Sequence, residues 1–147
     1  MPNIHLNYMA IAIAVVANFV LGFIWYTPLF GKAWAREMKM DTTQKPPASA
    51  LIKGMVAMII GNFLMAFVFA HNIAAWDPRT WGVENSGWMS PSGAAFNAAL
   101  FTWIGFFVPT DLGTVFWESR SWKFFFINTC YHLASLLLVA FILVYMS

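Results

Sequence analysis

Charge is scarce in this sequence. Six acidic and eight basic residues stand among 147, so 10% of the chain is charged, against roughly a quarter in an ordinary soluble domain. Such a chain cannot cover itself with a polar surface in water. With 61% hydrophobic residues and a mean hydropathy of +0.67 it is expected to be an integral membrane protein. The net charge of +2 is too small to suggest a nucleic-acid partner. Cysteine is nearly absent: Cys130 alone, inside an apolar run, excludes an intramolecular disulfide and behaves there as a small hydrophobe. No HxxxH, CxxC or CxxxC pair occurs, Cys130 and His132 would point to different sides of a helix, and no metal or other cofactor is expected. No serine stands in a nucleophile motif and the expected spans contain no Asp or Glu, so the chain is expected not to be an enzyme. No Lys or Arg precedes the first apolar run. The charged start of a signal peptide is therefore missing, and the first helix is expected to be retained.

What the sequence has instead is apolar runs, at about residues 5–26, 50–70, 93–108 and 124–145. Each approaches the twenty or so residues that cross a bilayer as a helix. The expected fold is all-α, one domain over residues 1–147 with four transmembrane helices. Pro47 and Ser49 precede the second run, Ser90-Pro91 looks like an N-cap with proline at the first helical position, and Ser121 can cap the fourth. Pro109 with Gly113 is expected to end the third. Lys32, Arg36, Lys39, Lys45 and Lys53 flank the first connection and Arg120 and Lys123 the third, whereas Arg79 stands alone in the second. The positive-inside rule then puts the basic connections in the cytoplasm and both termini outside it. The second connection carries Trp76, Trp81 and Trp88 with Asp77, Arg79 and Glu84, the pattern of an interfacial aromatic rim.

On the first run Ala10, Ala14, Asn18 and Gly22 recur every fourth residue, and they form one helix face on which a second helix can approach closely. Gly54, Gly61 and Gly105 are expected to serve helix packing in the same way. Trp25-Tyr26-Thr27-Pro28 marks where the first helix leaves the hydrocarbon, because the residue before proline is disfavoured in helical geometry. Beyond it, Phe30, Ala33, Trp34 and Met38 fall on one side of a helical projection and Lys32, Arg36 and Lys39 on the other, which suits a short helix in the membrane surface. Glu37 projects among the apolar residues and needs a partner. A weak internal echo sets Pro28, Gly31 and Trp34 beside Pro109, Gly113 and Trp117.

Each apolar run carries an asparagine in its interior: Asn18, Asn62, Asn97 and Asn128. An amide in hydrocarbon needs partners, and hydrogen bonds between helices supply them. The fourth run is the most polar, with Asn128, His132 and Ser135 on one face and Tyr131 beside them, and an imidazole at membrane depth is a candidate functional group. A second candidate group lies at the cytoplasmic boundary. Trp25, Tyr26, Trp34, Trp117 and Trp122 form an expected aromatic layer, with Lys32, Glu37, Asp111, Glu118, Arg120 and Lys123 at the same depth, where Glu118, Arg120 and Glu37 are expected to pair.

Two stretches stand out. One comprises Gly22, Trp25-Tyr26, Pro28, Phe30-Gly31-Lys32 and Trp34; the other runs from Gly105-Phe106-Phe107-Val108-Pro109 through Leu112, Phe116-Trp117-Glu118, Arg120, Trp122-Lys123 and Ile127-Asn128 to Tyr131. With these motifs the chain resembles, over nearly its whole length, the small bacterial membrane proteins of domain-of-unknown-function family 1761. The resemblance implies the membrane fold and carries no activity with it. From the residues themselves, the expected function is a non-enzymatic membrane module, an accessory or scaffold subunit binding membrane lipids, partner membrane proteins or a second copy of itself. The alternative is an oligomeric transporter or channel with a path lined by the Asn and His residues.

Overall fold

The structure is a computed structural model that describes residues 1–41, 43–84 and 89–147. Trp88, expected in the aromatic rim, lies outside the described residues. Every regular element among them is helical: α1 (Tyr8–Ile24), α2 (Gly31–Glu37), α3 (Ala48–Trp76), α4 (Pro91–Thr102), α5 (Val108–Phe116) and α6 (Trp122–Tyr145). A π-helical turn, Trp25–Leu29, continues α1, and another, Trp103–Phe107, joins α4 to α5 without a break. Four helices are thus long and apolar enough to cross a membrane: Tyr8–Leu29, Ala48–Trp76, Pro91–Phe116 and Trp122–Tyr145.

Two expected boundaries are corrected by one physical cause. The first helix stops at Leu29, one residue past Pro28 and three beyond the expected Tyr26, whereas Pro109 does not end the third, which runs on to Phe116. In a regular helix each ring would clash with the carbonyl four residues back and leave a carbonyl without its N–H. The wide turn relieves both problems. The Phe30 N–H reaches back five residues to the Trp25 carbonyl at 2.8 Å. The Thr27 hydroxyl donates to the Phe23 carbonyl, and the Thr110 hydroxyl donates to the Phe106 carbonyl at 2.7 Å. Such local re-satisfaction is what allows proline inside a membrane helix. The second helix is also longer than expected, 29 residues or roughly 43 Å at 1.5 Å per residue. Nothing between Ala70 and Trp76 breaks it before Pro78. Ser90 and Ser121 cap α4 and α6 as expected, accepting from the N–H groups of Gly93 and Phe124, each at 3.1 Å.

Helix α6 is the centre of the bundle. Helices α1 and α4 pack along it, α5 packs against its first half, and α3 packs on α1 and only lightly on α6. The core joins Ala10, Ile11 and Ala14 of α1, Ala66, Phe69 and Ala70 of α3, Ala95 and Ala99 of α4, and Leu136, Val139, Ala140 and Leu143 of α6. Alanine recurs in it because the lipid is as apolar as the side chains, so association depends on close backbone approach and van der Waals contact. The expected packing roles divide accordingly. Ala10 and Ala14 are fully buried, and Gly22 lies where an added Cβ would stand 3.0 Å from the Tyr131 hydroxyl. Gly54, Gly61 and Gly105 have nothing within 4 Å of such a Cβ, so none of them packs within the chain. Gly31, just after the first π-turn, is required for another reason: a Cβ there would sit 2.6 Å from the Tyr26 carbonyl oxygen.

Both termini and the second connection meet at one end of the bundle. The Asn3 N–H donates to the Thr80 carbonyl at 3.0 Å, and the Asn7 side chain donates to the Met146 carbonyl. Arg79 and Asp77 pair there, with Nη2 and Oδ2 2.6 Å apart, and hydrogen bonds from the Arg79 side chain hold the Asp77 carboxyl below the usual carboxylate range. The other seven basic residues lie at or beside the connections of the opposite end, called here the basic end.

The contrast among the glycines gives a direct test. Gly22→Leu should force α1 away from Tyr131 and lower stability in detergent by about 1–3 kcal/mol, the usual cost of overpacking. Gly54→Leu and Gly61→Leu should leave the melting temperature nearly unchanged. Equal losses at all three would show that α3 packs differently.

Candidate functional site

Three consecutive residues of α6 are held from two sides. The Trp25 indole N–H donates to the Ile127 carbonyl at 3.1 Å, the Tyr26 hydroxyl donates to Asn128 Oδ1 at 2.7 Å, and the Trp103 indole N–H donates to the Thr129 carbonyl at 2.8 Å. Each tryptophan opens a π-turn that is followed by, or contains, a proline. The wide turn sets the indole facing α6. The two turns are alike in setting a tryptophan near a proline, Trp25 with Pro28 and Trp103 with Pro109, which is not the pairing of Trp34 with Trp117 compared in the sequence. Trp34 packs edge-on against Tyr26 at 5.4 Å, whereas Trp117 is 90% exposed.

Continuing α5 past Pro109 carries Asp111 into the bundle, where it is buried and hydrogen-bonded to His132; Oδ2 and Nδ1 are 2.7 Å apart. Expected at the cytoplasmic boundary, Asp111 instead belongs to a membrane-spanning helix. The clue available in the sequence was the Thr110 hydroxyl beside Pro109, matching Thr27 beside Pro28. Phe107 covers the imidazole, with ring centroids 4.8 Å apart. His132 stands ten residues into α6, about 15 Å from its start. With Nδ1 engaged, the carboxylate orients the ring and leaves Nε2 for a ligand. Among the described residues no group of three or more His, Cys, Asp or Glu side chains is placed to hold a metal ion.

One turn deeper, Ser135, Asn18 and Asn62 form a buried chain. The Ser135 hydroxyl donates to Asn18 Oδ1 at 2.6 Å, and Asn18 Nδ2 donates to Asn62 Oδ1 at 2.8 Å. This is the expected interhelical role, tying α6, α1 and α3, worth up to about 1–2 kcal/mol per bond in a bilayer. Asn62 Nδ2, also buried, has no acceptor. Asn97 differs from the expectation: its amide donates to the Gly93 carbonyl of its own helix at 2.8 Å and, among the described residues, joins no other helix. Beyond this polar level, toward the termini, Ile11, Leu136 and Val139 are completely buried and close the bundle with apolar side chains.

A cleft of about 180 Å³ opens between α3 and α6, lined by Asn18, Met58, Asn62, Met65, Phe107, Tyr131, His132, Ser135 and Leu136. It forms because α3 stands off α4 and α5. The first fourteen residues of α3, from Ala48 to Gly61, are exposed on every side.

The expected charge network at the basic end is not formed. Among the described residues the ion pair is Asp77 with Arg79, and Asp111 hydrogen-bonds to the His132 ring. Glu37 is half-buried and accepts from the Ser121 hydroxyl instead. Glu118 is exposed, and the Arg120 guanidinium lies 5.4 Å from the Phe124 ring with its Nε unpartnered. Ser119, with φ of 56°, turns the chain between Glu118 and Arg120. The aromatic layer is likewise two groups: Trp25, Tyr26, Trp34 and Tyr131 pack together, while Trp122 packs with Phe116 and Phe125. Lys32 and Lys123 are exposed.

Compared with known proteins, residues 9–144 match the profile of a family described as "Protein of unknown function (DUF1761)". No curated protein and no solved structure matches the chain.

The Asp111–His132 pair gives a stability test. Asp111→Leu should cost about 1–3 kcal/mol by leaving the half-buried His132 ring without its hydrogen-bond partner, and Asp111→Leu with His132→Leu should recover part of that loss. A double variant less stable than either single one would show that the two side chains act independently. At the basic end, Glu118→Ala and Arg120→Ala should be additive within about 0.5 kcal/mol.

Proposed function

We propose, for a chain that belongs to the DUF1761 family of unknown function, a role as a non-enzymatic membrane module that binds a membrane amphiphile in the cleft between α3 and α6. The observation that carries this reading is the shape and polarity of the cleft. It is open beside α3, where Met58 is 46% exposed, polar at Asn62, His132 and Ser135, and shut toward the termini by Ile11, Leu136 and Val139. A pocket of that kind suits a ligand arriving from within the bilayer, with an apolar body and one polar group. The exposed first half of α3 is the surface on which an accessory or scaffold subunit would meet a partner membrane protein or a second copy.

A transporter is the second reading, and the hydrogen-bonded Asp111–His132 pair, with Asp111 buried and His132 half-buried, favours it, because ionisable groups at membrane depth often serve proton or solute paths. A path through one chain would have to cross the apolar half of the bundle. Transport on this reading therefore belongs to an oligomer. For orientation, the basic end is placed in the cytoplasm of a bacterial inner membrane, with both termini outside.

Purified in mild detergent, the chain should retain about one amphiphile per polypeptide by native mass spectrometry, and Met58→Trp should reduce that occupancy by narrowing the cleft. A lipid-free symmetric oligomer whose flux in proteoliposomes is lost in His132→Leu would replace the binding reading with transport. A reporter active only in the cytoplasm should be silent when fused after Ser147; activity there reverses the orientation.

A further inference from the structure

The hydrogen bonds of the cleft run in one direction and stop at an unmet donor. Ser135 donates to Asn18, Asn18 donates to Asn62, and Asn62 Nδ2 is left buried with no acceptor. Asn62 is 6% exposed. A buried amide N–H without an acceptor is costly in hydrocarbon, where no water takes the place of a partner. His132, which also lines the cleft, is engaged through Nδ1 by Asp111.

From this we infer that the cleft receives the carbonyl oxygen of a neutral acyl ester, taken up by Asn62 Nδ2, with the acyl chain against Met58, Met65, Phe107 and Leu136. The inference rests on the binding-module reading and names the ligand's chemistry. Four considerations select it. The missing partner is an acceptor, and a carbonyl is the acceptor that membrane lipids carry where headgroup meets chain. The remaining wall is apolar, as an acyl chain requires. A free carboxylate is disfavoured, since Asp111 already places an acid beside His132 and a second charge would be buried without a counter-ion. The volume of about 180 Å³ equals roughly six water-sized groups at about 30 Å³ each, enough for the ester and the first part of the chain while the rest lies along α3.

The test compares 1-monooleoylglycerol with 1-O-oleylglycerol, which share chain and headgroup and differ in having a carbonyl or a methylene at the linkage. Each is titrated into the delipidated chain in detergent and read by native mass spectrometry, with the ester labelled at its carbonyl carbon for NMR. The ester should bind about tenfold more tightly than the ether, a difference of about 1.4 kcal/mol, and its carbonyl resonance should shift on binding. Asn62→Leu should bring the two affinities together and abolish the carbonyl shift while both lipids still bind. Should that variant fail to fold, the ester-to-ether ratio and the shift in the unaltered chain decide alone. Equal affinities, as a water-filled cleft or a purely apolar one would give, overturn the carbonyl assignment and leave the binding module standing. If neither lipid binds, both fail.

Discussion

In hydrocarbon an unpaired N–H or C=O finds no water, and most of this structure is a set of answers to that constraint. The prolines are the clearest case. Pro28 and Pro109 each withhold an N–H from a membrane-spanning helix, and in both places the backbone widens into a π-helical turn with a threonine hydroxyl bonded to a carbonyl four residues back. The same turns aim Trp25 and Trp103 at the carbonyls of Ile127 and Thr129. A local repair of the backbone thus becomes the means by which α1 and the α4–α5 segment are fixed to α6. Those carbonyls already belong to the helical ladder of α6, and the indole N–H groups use their second lone pairs.

Because the hydrophobic effect does not drive helices together within lipid, what remains is close packing and polar contact, and the bundle separates the two by depth. Alanine-rich contacts fill the half nearest the termini. Asp111, His132, Ser135, Asn18 and Asn62 occupy the half nearest the basic end. The separation has a functional consequence. A polar column that ends on Ile11, Leu136 and Val139 is shaped as a recess, and one chain offers a ligand a place to stop more readily than a way through.

Helix α3 makes the recess possible. It is held to α1 and α6 through its second half, with Asn62, Ala66, Phe69 and Ala70 buried, while its first half stands clear. Gly54 and Gly61, which resemble packing residues, therefore face outward, where lipid or another chain can meet them. Gly22 does pack within the chain, against the Tyr131 hydroxyl.

By itself the sequence determined the membrane class, the four spans, the serine caps of α4 and α6, the small-residue face of α1 and the polar character of α6, since all of these follow from composition and from spacing along a single helix. It also marked Glu37 as needing a partner, although not that Ser121 supplies it. Tertiary structure decided which polar groups meet. Asn18 and Asn62 lie 44 residues apart, Ser135 and Asn18 lie 117 apart, and Asn97, of the same residue type, bonds only to its own helix. It decided, too, that Glu118 and Arg120 do not pair although two residues apart, because the chain turns at Ser119 between them. Asp111 shows why the two levels divide there. Whether a proline ends a helix or is absorbed in a wide turn depends on what receives the freed backbone groups and what the turn packs against, and α6, which supplies that packing, comes later in the chain.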